Sequence, residues 1–413
     1  MEKYRHPTTV FTLVLFFSLK AAGQLPLTSE TVHTKNMELL WKFKTGSRIF
    51  SSATSGNGLI YFGSDDDRIY ALDEKSGKQA WSYLTGGPVN SSPALAHGKL
   101  FVLSNDGFFY ALDAKKGKMI WRFKTGGEKK KDMWDYYLSD PVIINNNVYF
   151  GSSDSCIYSL QSSTGKLIWK YKTGGQVHAK PAFTNDTLFA GSFDGYLYSL
   201  NAGTGKLLWK FRSVGDAYFP NGEFQKGALY YQKILWAGSR DYNIYAINPK
   251  TGRGLWNMKE GGSWVIATPF AYDKYIYFGT SDSHAFYCIN VTTGGIKWKL
   301  RLNMRVYGSA VFYDGQIYFG CFNGKLYGAD ALTGEINQAF QSEGSRQNYL
   351  TVYDSTGEFR KDFSVYGTTE EESKSAENKI MSLGSMGATP LLQNGILYIG
   401  STDGYFYAVA PGK

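Results

Sequence analysis

Seven tryptophans recur in one repeated phrase along this chain. They are separated by 40, 40, 48, 40, 47 and 42 residues, and they are Trp41, Trp81, Trp121, Trp169, Trp209, Trp256 and Trp298. Most copies read Tyr-Ala-Leu-Asp, a short turn with Thr-Gly-Lys, two residues, Trp, an aromatic residue and Lys-Thr-Gly. Self-similarity with a period near 40 residues indicates a radial or stacked array of small units. The fold therefore has to be interpreted as a repeat before any single segment is.

The second unit, residues 88–126, contains four short strand patterns. A strand that ends at His97-Gly98 is followed by strands at Lys99–Leu103, Phe108–Leu112 and Met119–Lys124. Asn105-Asp106-Gly107 between two of them is a strong hairpin signal. Four short antiparallel strands at even spacing are typical of one propeller blade.

The last repeat is split between the two ends of the chain. Seven units run from residue 46 to about 342, and an eighth set of three strands ends at Pro411-Gly412-Lys413 with no Trp strand. Joining Gly412-Lys413 to Leu39-Leu40-Trp41 restores the Gly-Lys-x-x-Trp phrase of the other units. We predict an all-β, eight-bladed β-propeller of four-stranded antiparallel blades over residues 39–413, with the last blade closed by the N-terminal strand. Such closure removes exposed sheet edges.

The first 23 residues have the pattern of a signal peptide. Lys3 and Arg5 precede an apolar run from Val10 to Leu19, and small residues follow at 21–23. We expect cleavage before Gln24, a linker over residues 24–38, and a periplasmic or secreted protein. A lipid anchor would need a cysteine near the cleavage point, and the sequence has none there, so we expect no such anchor. No later stretch has the length and hydrophobicity of a membrane-spanning helix.

The repeat resembles that of the quinoprotein-type (PQQ-like) propellers over residues 39–413, apart from the insertions. The resemblance implies that each Trp packs between neighbouring blades. Gln338 takes the Trp position in the seventh blade, so we expect weaker docking of blade seven on blade eight. The chain is also similar to the propeller component of the bacterial outer-membrane barrel-assembly machinery (BamB-like). That resemblance implies an exported, non-catalytic scaffold that docks the barrel-forming protein.

Three insertions point to one rim of the ring. The connection from the Trp position to the next first strand usually spans 12 residues, but it spans 20, 19 and 52 residues after Trp121, Trp209 and Gln338. These connections open on the same rim as the Asp-Gly turns, which we call the loop-bearing face. Insertions that collect on one face of a repeat protein often form its binding surface. We therefore expect partners to bind this face.

Aromatic residues mark the first two insertions. Insertion one contains residues 129–137 and insertion two contains residues 216–220, and their aromatic candidates are Trp134, Tyr136, Tyr137, Tyr218 and Phe219. Surface aromatics stack on sugars or anchor protein partners, but these residues could equally pack as lids on their own blades. Insertion three, residues 342–387, includes a predicted helix from Thr369 to Ile380 with acidic residues at its start.

One sector of the predicted channel carries charge. Just before the first strand of each blade, six of the eight positions hold small residues, while Asp140 and Lys180 occupy the other two. His178 stands two positions before Lys180. These three residues form a candidate ligand site, and the alternative is a structural salt bridge inside the channel. Candidates for the same face also include Trp264, Arg305 and Tyr307.

Composition argues against several functions. The net charge is +9, but the lysines are spread over the repeats without a clustered basic element, so nucleic acid is not an expected partner. The five histidines show no metal-ligand spacing, and the three cysteines imply no disulfide framework. The ring of turn Asp residues is explained by local backbone bonding rather than by calcium.

Catalytic motifs are also missing from the sequence. It has no nucleophile elbow, no HExxH and no phosphate loop. The quinone-dependent dehydrogenases among the PQQ-like propellers use an adjacent cysteine pair, a calcium-binding carboxylate and a tryptophan floor, and no adjacent cysteine pair occurs here. We expect a monomer without a cofactor or metal that binds a protein or glycan of the cell envelope. The alternatives are a glycan- or small-ligand-binding propeller and a dehydrogenase that uses PQQ with calcium.

Overall fold

The structure is a computed structural model that describes residues 34–412. Each repeat folds into a four-stranded antiparallel sheet, as predicted. The second and third strands of a blade are buried along most of their length, whereas the outer strand alternates between exposed and half-buried residues. This difference follows from position, because neighbouring blades cover both faces of the middle strands. The strands nearest the axis are only three residues long, which suits the crowded centre of a ring.

The chain enters through two strands that belong to its last two blades, and then forms blades one to four in order. The entering strands are β1 (Lys35–Asn36) and β2 (Glu38–Lys44). Blade one consists of β3 (Thr54–Gly56), β4 (Leu59–Ser64), β5 (Arg68–Asp73) and β6 (Gln79–Leu84). Blade two consists of β7 (Ala94–Ala96), β8 (Lys99–Leu103), β9 (Phe108–Asp113) and β10 (Met119–Lys124). Blade three consists of β11 (Val142–Ile144), β12 (Asn147–Gly151), β13 (Cys156–Gln161) and β14 (Leu167–Lys172). Blade four consists of β15 (Ala182–Thr184), β16 (Thr187–Gly191), β17 (Tyr196–Asn201) and β18 (Leu207–Arg212).

The second half of the ring repeats this order. Blade five consists of β19 (Leu229–Tyr231), β20 (Ile234–Gly238), β21 (Asn243–Ile247) and β22 (Gly254–Lys259). Blade six consists of β23 (Phe270–Tyr272), β24 (Tyr275–Gly279), β25 (Ala285–Asn290) and β26 (Ile296–Arg301). Blade seven contains β27 (Val311–Tyr313), β28 (Gln316–Gly320), β29 (Lys325–Asp330) and β30 (Ile336–Gln341). Blade eight contains β31 (Leu391–Gln393), β32 (Ile396–Gly400) and β33 (Tyr405–Ala410).

The N-terminal strand closes the ring, which confirms the prediction. Strand β2 pairs antiparallel with β33, with Trp41 opposite Ala408, and so becomes the fourth strand of blade eight. Strand β1, within the segment predicted as a linker, runs parallel to β30 as a fifth strand of blade seven. It lies beside Gln338, whose Oε1 accepts a hydrogen bond from the Gly412 N–H at 2.8 Å.

Each tryptophan of the repeat packs on a glycine in the turn of the next blade. Six of the seven indole Nε1–H groups also donate to a backbone carbonyl of that blade at 2.8–3.2 Å, and the acceptors are Glu74, Ala114, Ser162, Ala202, Pro249 and Ala331. Trp256 contacts Gly294 in its turn and packs edge-to-face on Trp236 at 5.2 Å. The seven glycines have φ between 66° and 77°, and a Cβ atom on any of them would lie 2.5–2.9 Å from the indole. Glycine is therefore required twice, by the left-handed backbone and by the close approach.

Hydrogen bonds also join successive blades at the axis. The first strands of neighbouring blades lie close together there. The backbone N–H of Ser309 donates to Thr389 Oγ1 at 3.0 Å, and Thr389 N–H donates to Ser52 Oγ at 2.9 Å. Ser52 N–H donates to Ser92 Oγ at 3.0 Å, and Ser92 N–H donates to Asp140 Oδ1 at 2.6 Å. This chain of bonds runs from blade seven through the closure to blade three.

Insertion three carries the two α-helices of residues 34–412. They are α1 (Glu343–Asn348), which runs into a 3₁₀ turn at Tyr349–Thr351, and α2 (Glu370–Ser382). Thr369 Oγ1 accepts the Glu372 N–H at the start of α2, and the Glu372 side chain accepts the Thr369 N–H, which completes a capping box. The structure confirms the predicted helix. Neither helix has the length and hydrophobicity needed to cross a membrane. The predicted signal peptide lies outside the described residues.

We predict that Trp41→Ala destabilises the whole ring, because it removes the indole that docks blade eight on blade one. Truncation of a fully buried tryptophan typically costs about 3–5 kcal/mol, and because Trp41 is half-buried we expect a loss of about 2–3 kcal/mol. Chemical denaturation measures the loss of unfolding free energy. The control is Leu40→Ala, since the neighbouring Leu40 side chain is exposed and its removal should change stability by about 0.5 kcal/mol or less. An unchanged midpoint for Trp41→Ala would contradict a structural role of the closure.

Candidate functional site

Two tyrosines of insertion one fill the centre of the loop-bearing face. Tyr136 stacks on Phe50 with ring centroids 4.9 Å apart and an angle of 5° between the rings. The Tyr137 hydroxyl donates to the Gly387 carbonyl at 2.7 Å. Both tyrosines are buried, and their contacts join the insertion between blades two and three to blades one and eight. The pair therefore lies across the axis and covers the mouth of the channel.

A buried ion pair holds α2 against the same point. Arg305 is only 2% exposed. Its guanidinium Nη2 donates a hydrogen bond to Glu377 Oε2 at 2.7 Å. The other Glu377 oxygen accepts a hydrogen bond from the Tyr136 hydroxyl. Arg305 Nη1 also lies 3.5 Å from the Tyr307 hydroxyl, which in turn contacts Ser281 Oγ at 3.0 Å. Glu377 thus connects insertion three to both insertion one and blade seven.

His178 joins insertion one to blades three and four. Its Nδ1 lies 2.9 Å from Asp135 Oδ2, and both side chains are fully buried. Its Nε2 lies 2.6 Å from Ser153 Oγ. Burial raises the pKa of Asp135, but the charge and hydrogen bond of His178, the Lys131 N–H and the charge of Arg240 together outweigh burial, so the pKa lies below its usual value. Asp135 is therefore held as a carboxylate beneath the insertion.

The order Asp135, His178, Ser153 has the connectivity of a nucleophilic triad, but its surroundings favour a clamp. In such triads a backbone N–H next to the serine stabilises the developing oxyanion. Here the Ser153 N–H donates to Glu128 Oε2 at 2.8 Å. Ser153 Oγ also bonds the Lys129 carbonyl at 3.0 Å. The three side chains therefore fix the backbone of insertion one onto blades three and four.

A second buried network holds the same insertion from the other side. Arg240 pairs with Asp132, and its Nε donates to Gln225 Oε1 at 2.9 Å. Gln225 Nε2 lies 3.3 Å from Asp135 Oδ1, so the two networks are connected. The Arg240 guanidinium also lies 4.3 Å from the ring of Trp264. Sequence reasoning missed Asp132, Asp135 and Arg240, since nothing in the repeat pattern distinguishes them.

The aromatic candidates pack mainly on one another, as lids. Trp134 meets Trp264 edge-to-face at 6.1 Å, and Phe219 meets Trp264 at 5.0 Å. Trp264 and Tyr307 are buried. Tyr218 differs, because 82% of it is exposed. The sequence left open whether the aromatic residues of insertions one and two bind a partner or pack as lids on their own blades. In the structure all of them pack as lids except Tyr218, which faces outward.

The charged channel residues do not converge as the sequence suggested. Asp140 accepts the Ser92 N–H, Lys180 is exposed, and no ion pair joins the two in the described structure. His178 pairs with Asp135 instead. The cation that enters the channel is Lys226, whose Nζ lies 3.1 Å from the centroid of the Tyr137 ring. Burial lowers the pKa of Lys226 to about 8, although Asp140 and Asp135 oppose the shift.

Lys226 had a signal in the sequence. It aligns with a column that holds only small residues in the other seven blades, which are Ser51, Ser91, Ser139, Ala179, Ala267, Gly308 and Ala388. A long, positively charged lysine side chain at a repeat position that otherwise holds Ser, Ala or Gly marks a local departure from the repeat. Comparing every column of the repeat, rather than two of them, would have found it.

The residues at the mouth do not fit a quinone with calcium. Tyr136 and Tyr137 occupy the position over the axis. The free cysteines Cys156, Cys288 and Cys321 are buried in separate blades. Across residues 34–412 no three His, Cys, Asp or Glu side chains are grouped as metal ligands. The turn aspartates are engaged by protein donors; one example is Asp106, whose Oδ2 accepts the Gly86 N–H at 2.7 Å and the Tyr110 hydroxyl at 2.6 Å.

Comparison with known proteins adds a family and a set of similar folds. The sequence model of the family described as outer membrane protein assembly factor BamB matches residues 31–134, 135–257 and 194–412. A search of curated proteins finds no match. BamB from Moraxella catarrhalis is 16% identical with a TM-score of 0.67, over 91% of this chain and 99% of that one. Quinohemoprotein alcohol dehydrogenase from Comamonas testosteroni is 13% identical with a TM-score of 0.68, over 94% and 78%. Sqt1 from Saccharomyces cerevisiae is 14% identical with a TM-score of 0.68, over 91% and 100%.

We predict that Glu377→Ala releases α2 from the ring. The change leaves Arg305 buried without a carboxylate, and removing one partner of a buried pair typically costs about 3–5 kcal/mol. Amide hydrogen exchange across residues 370–382 should accelerate accordingly. The control is Glu370→Ala on the same helix, whose exposed pair with Lys374 is worth only about 0.5 kcal/mol or less. Equal protection of α2 in the two variants would show that the Arg305 pair does not hold it.

Proposed function

Because the chain belongs to the family described as outer membrane protein assembly factor BamB, we propose that it is a non-catalytic scaffold of the cell envelope. In this proposal the loop-bearing face docks a protein of the outer-membrane assembly machinery, namely the barrel-forming component. The predicted signal peptide over residues 1–23 would deliver the chain to that compartment. The likeness to quinohemoprotein dehydrogenases, at 13% identity, concerns the fold and carries no activity with it.

The observation that carries this proposal is where the most exposed apolar side chains lie. Tyr218 and Val214 on the connection that contains insertion two are 82% and 70% exposed, and Leu350 in insertion three is 64% exposed. Large apolar groups that remain in water on one face mark surfaces that bind other proteins. These three lie on two of the lengthened connections of the same face, whereas the neighbouring aromatics are buried as lids.

The anchoring of the insertions supports the same function. Insertion one is held by Asp135 on His178 and by Asp132 on Arg240, and α2 is held by Glu377 on Arg305. Lids fixed at buried points lose little conformational freedom when a partner binds, so more of the contact energy remains as affinity. A fixed, partly apolar face is well suited to docking.

We predict that the double variant Tyr218→Asp, Leu350→Asp binds the barrel-forming protein of the same organism more weakly. Placing carboxylates at two exposed apolar positions of the proposed contact should raise the Kd at least about tenfold, which corresponds to about 1.4 kcal/mol. Biolayer interferometry with the purified proteins measures the Kd. The matched control is Leu332→Asp, since Leu332 is 60% exposed in a turn on the opposite rim. Equal loss in the control, or no loss in the double variant, would contradict docking through the loop-bearing face.

We further propose that the protein binds no pyrroloquinoline quinone, since Tyr136 and Tyr137 occupy the position over the axis. A thermal-shift titration of the full chain with the quinone and calcium should leave Tm unchanged, while a quinone-dependent dehydrogenase titrated in parallel responds. A ligand selective for the native state raises Tm by mass action. A saturable rise in Tm would therefore favour the dehydrogenase alternative over the scaffold.

A further inference from the structure

The outward surfaces of three neighbouring blades share one pattern of apolar and basic residues. The fourth strands of blades two, three and four read Met-Ile-Trp-Arg-Phe-Lys in β10, Leu-Ile-Trp-Lys-Tyr-Lys in β14 and Leu-Leu-Trp-Lys-Phe-Arg in β18. Each of these strands is the outermost of its blade, and alternate side chains along it face solvent. We call the solvent-facing surface of β10, β14 and β18 the outer arc.

An apolar row runs across the outer arc. Five large apolar side chains that stand just before the tryptophans are 39–51% exposed, and they are Met119, Ile120, Leu167, Ile168 and Leu208. Docking of one blade on the next does not require them, because the position before the tryptophan holds Ala80 in blade one and Lys297 in blade six. Large apolar side chains that remain in water on one part of a surface mark a site of interaction.

Cations flank the apolar row on both sides. Six of them follow the tryptophans, and they are Arg122, Lys124, Lys170, Lys172, Lys210 and Arg212. Three precede the row in the turns, and they are Lys118, Lys166 and Lys206. All nine are exposed, and across residues 34–412 none of them forms an ion pair with a carboxylate. Their positive charge is therefore available to an anionic partner.

A cavity of about 540 Å³ opens on the outer arc between blades two and three. The residues that line it include Phe123, Lys124, Leu167, Lys170 and Lys172. Asp154 lines it as well, but its Oδ2 already accepts the Gly126 N–H at 2.7 Å and the Tyr158 hydroxyl at 2.5 Å. Three ammonium groups beside apolar side chains suit a phosphate group that is attached to a hydrocarbon chain.

The shape of the outer arc favours a lipid surface over a folded protein. Proteins bind one another mainly through a few side chains near the centre of the contact. The outer arc lies on the convex circumference of the ring and repeats its apolar and basic pattern on three blades. It therefore fits a partner that is uniform along its own surface.

We propose that the outer arc docks on a bilayer that contains anionic phospholipid. The apolar row enters the boundary between headgroups and acyl chains, and the flanking cations contact the phosphates. Blade three lies at the middle of the arc, and the cavity that it shares with blade two receives one headgroup. The ring stands edge-on to the bilayer, so the loop-bearing face remains free. The proposal does not depend on the scaffold function proposed above.

Co-sedimentation of residues 24–413, which include every strand of the ring, with lipid vesicles tests this docking. Vesicles of phosphatidylglycerol and phosphatidylethanolamine should bind the protein at least about tenfold more tightly than vesicles of phosphatidylcholine, because only phosphatidylglycerol carries a net charge. The affinity should fall as salt is added, since the range of surface charges shortens from about 8 Å at physiological ionic strength to about 3 Å at 1 M. Absence of binding to the anionic vesicles, or equal binding to both kinds, would overturn the proposal.

A charge variant tests the cations at the cavity. The double variant Lys124→Glu, Lys170→Glu changes two exposed residues, so it should keep the Tm of the parent but bind anionic vesicles at least about tenfold more weakly. The matched control Lys297→Glu, Lys361→Glu makes the same change in charge at exposed residues of blade six and insertion three, and it should bind as the parent does. Equal affinity of the two variants for anionic vesicles would overturn docking through the outer arc.

An apolar variant separates insertion of the row from attraction between charges alone. The double variant Ile120→Ser, Ile168→Ser leaves every cation in place, yet it should bind anionic vesicles at least about tenfold more weakly because it removes apolar surface from the contact. The matched control Ile296→Ser, Leu332→Ser alters exposed residues of blades six and seven that are 37% and 60% exposed, and it should bind as the parent does. A variant of the row that binds as tightly as this control would show that the apolar side chains do not enter the bilayer, and would overturn the proposal.

Discussion

The ring depends on the contact between each indole and a glycine of the next blade. A single four-stranded blade has two apolar faces and cannot bury both of them alone. The tryptophan of one blade closes this surface by lying on a backbone that has no Cβ atom to separate the two sheets. Strand β2 brings the same contact to the last blade, so that the first and eighth blades become neighbours. Stability is therefore shared around the ring, and the connections between blades are free to lengthen.

The lengthened connections form a second layer with its own buried polar contacts. Insertion one connects blade two to blade three and reaches across the axis, where Tyr136 contacts both Phe50 and Glu377. Paired charges beneath a lid cost desolvation, so their presence is weak evidence for stability. Here they fix the positions of insertions one and three on the ring.

The sequence predicts the parts of this molecule that repeat. Blade number, closure and the role of the tryptophans follow from a pattern that recurs around the chain, and α2 follows from the acidic residues at the start of its segment. The site is less predictable, because its partners come from insertions whose path has no period. His178 could be placed near the axis from its column, but its partner Asp135 could not. Likewise, the aromatic residues of insertions one and two look alike in the sequence, and only the fold of each insertion decides that Tyr136 is buried and Tyr218 exposed.

Strand β1 determines how the ring is held. It lies on the outer edge of blade seven, and β2 then crosses to the outer edge of blade eight, so the described chain begins at the circumference near Thr34 and not at the axis. A force applied to the N-terminal segment would therefore act on the outer circumference of the ring. A molecule tethered through this segment would keep both faces of the ring, including the loop-bearing face, open to solvent.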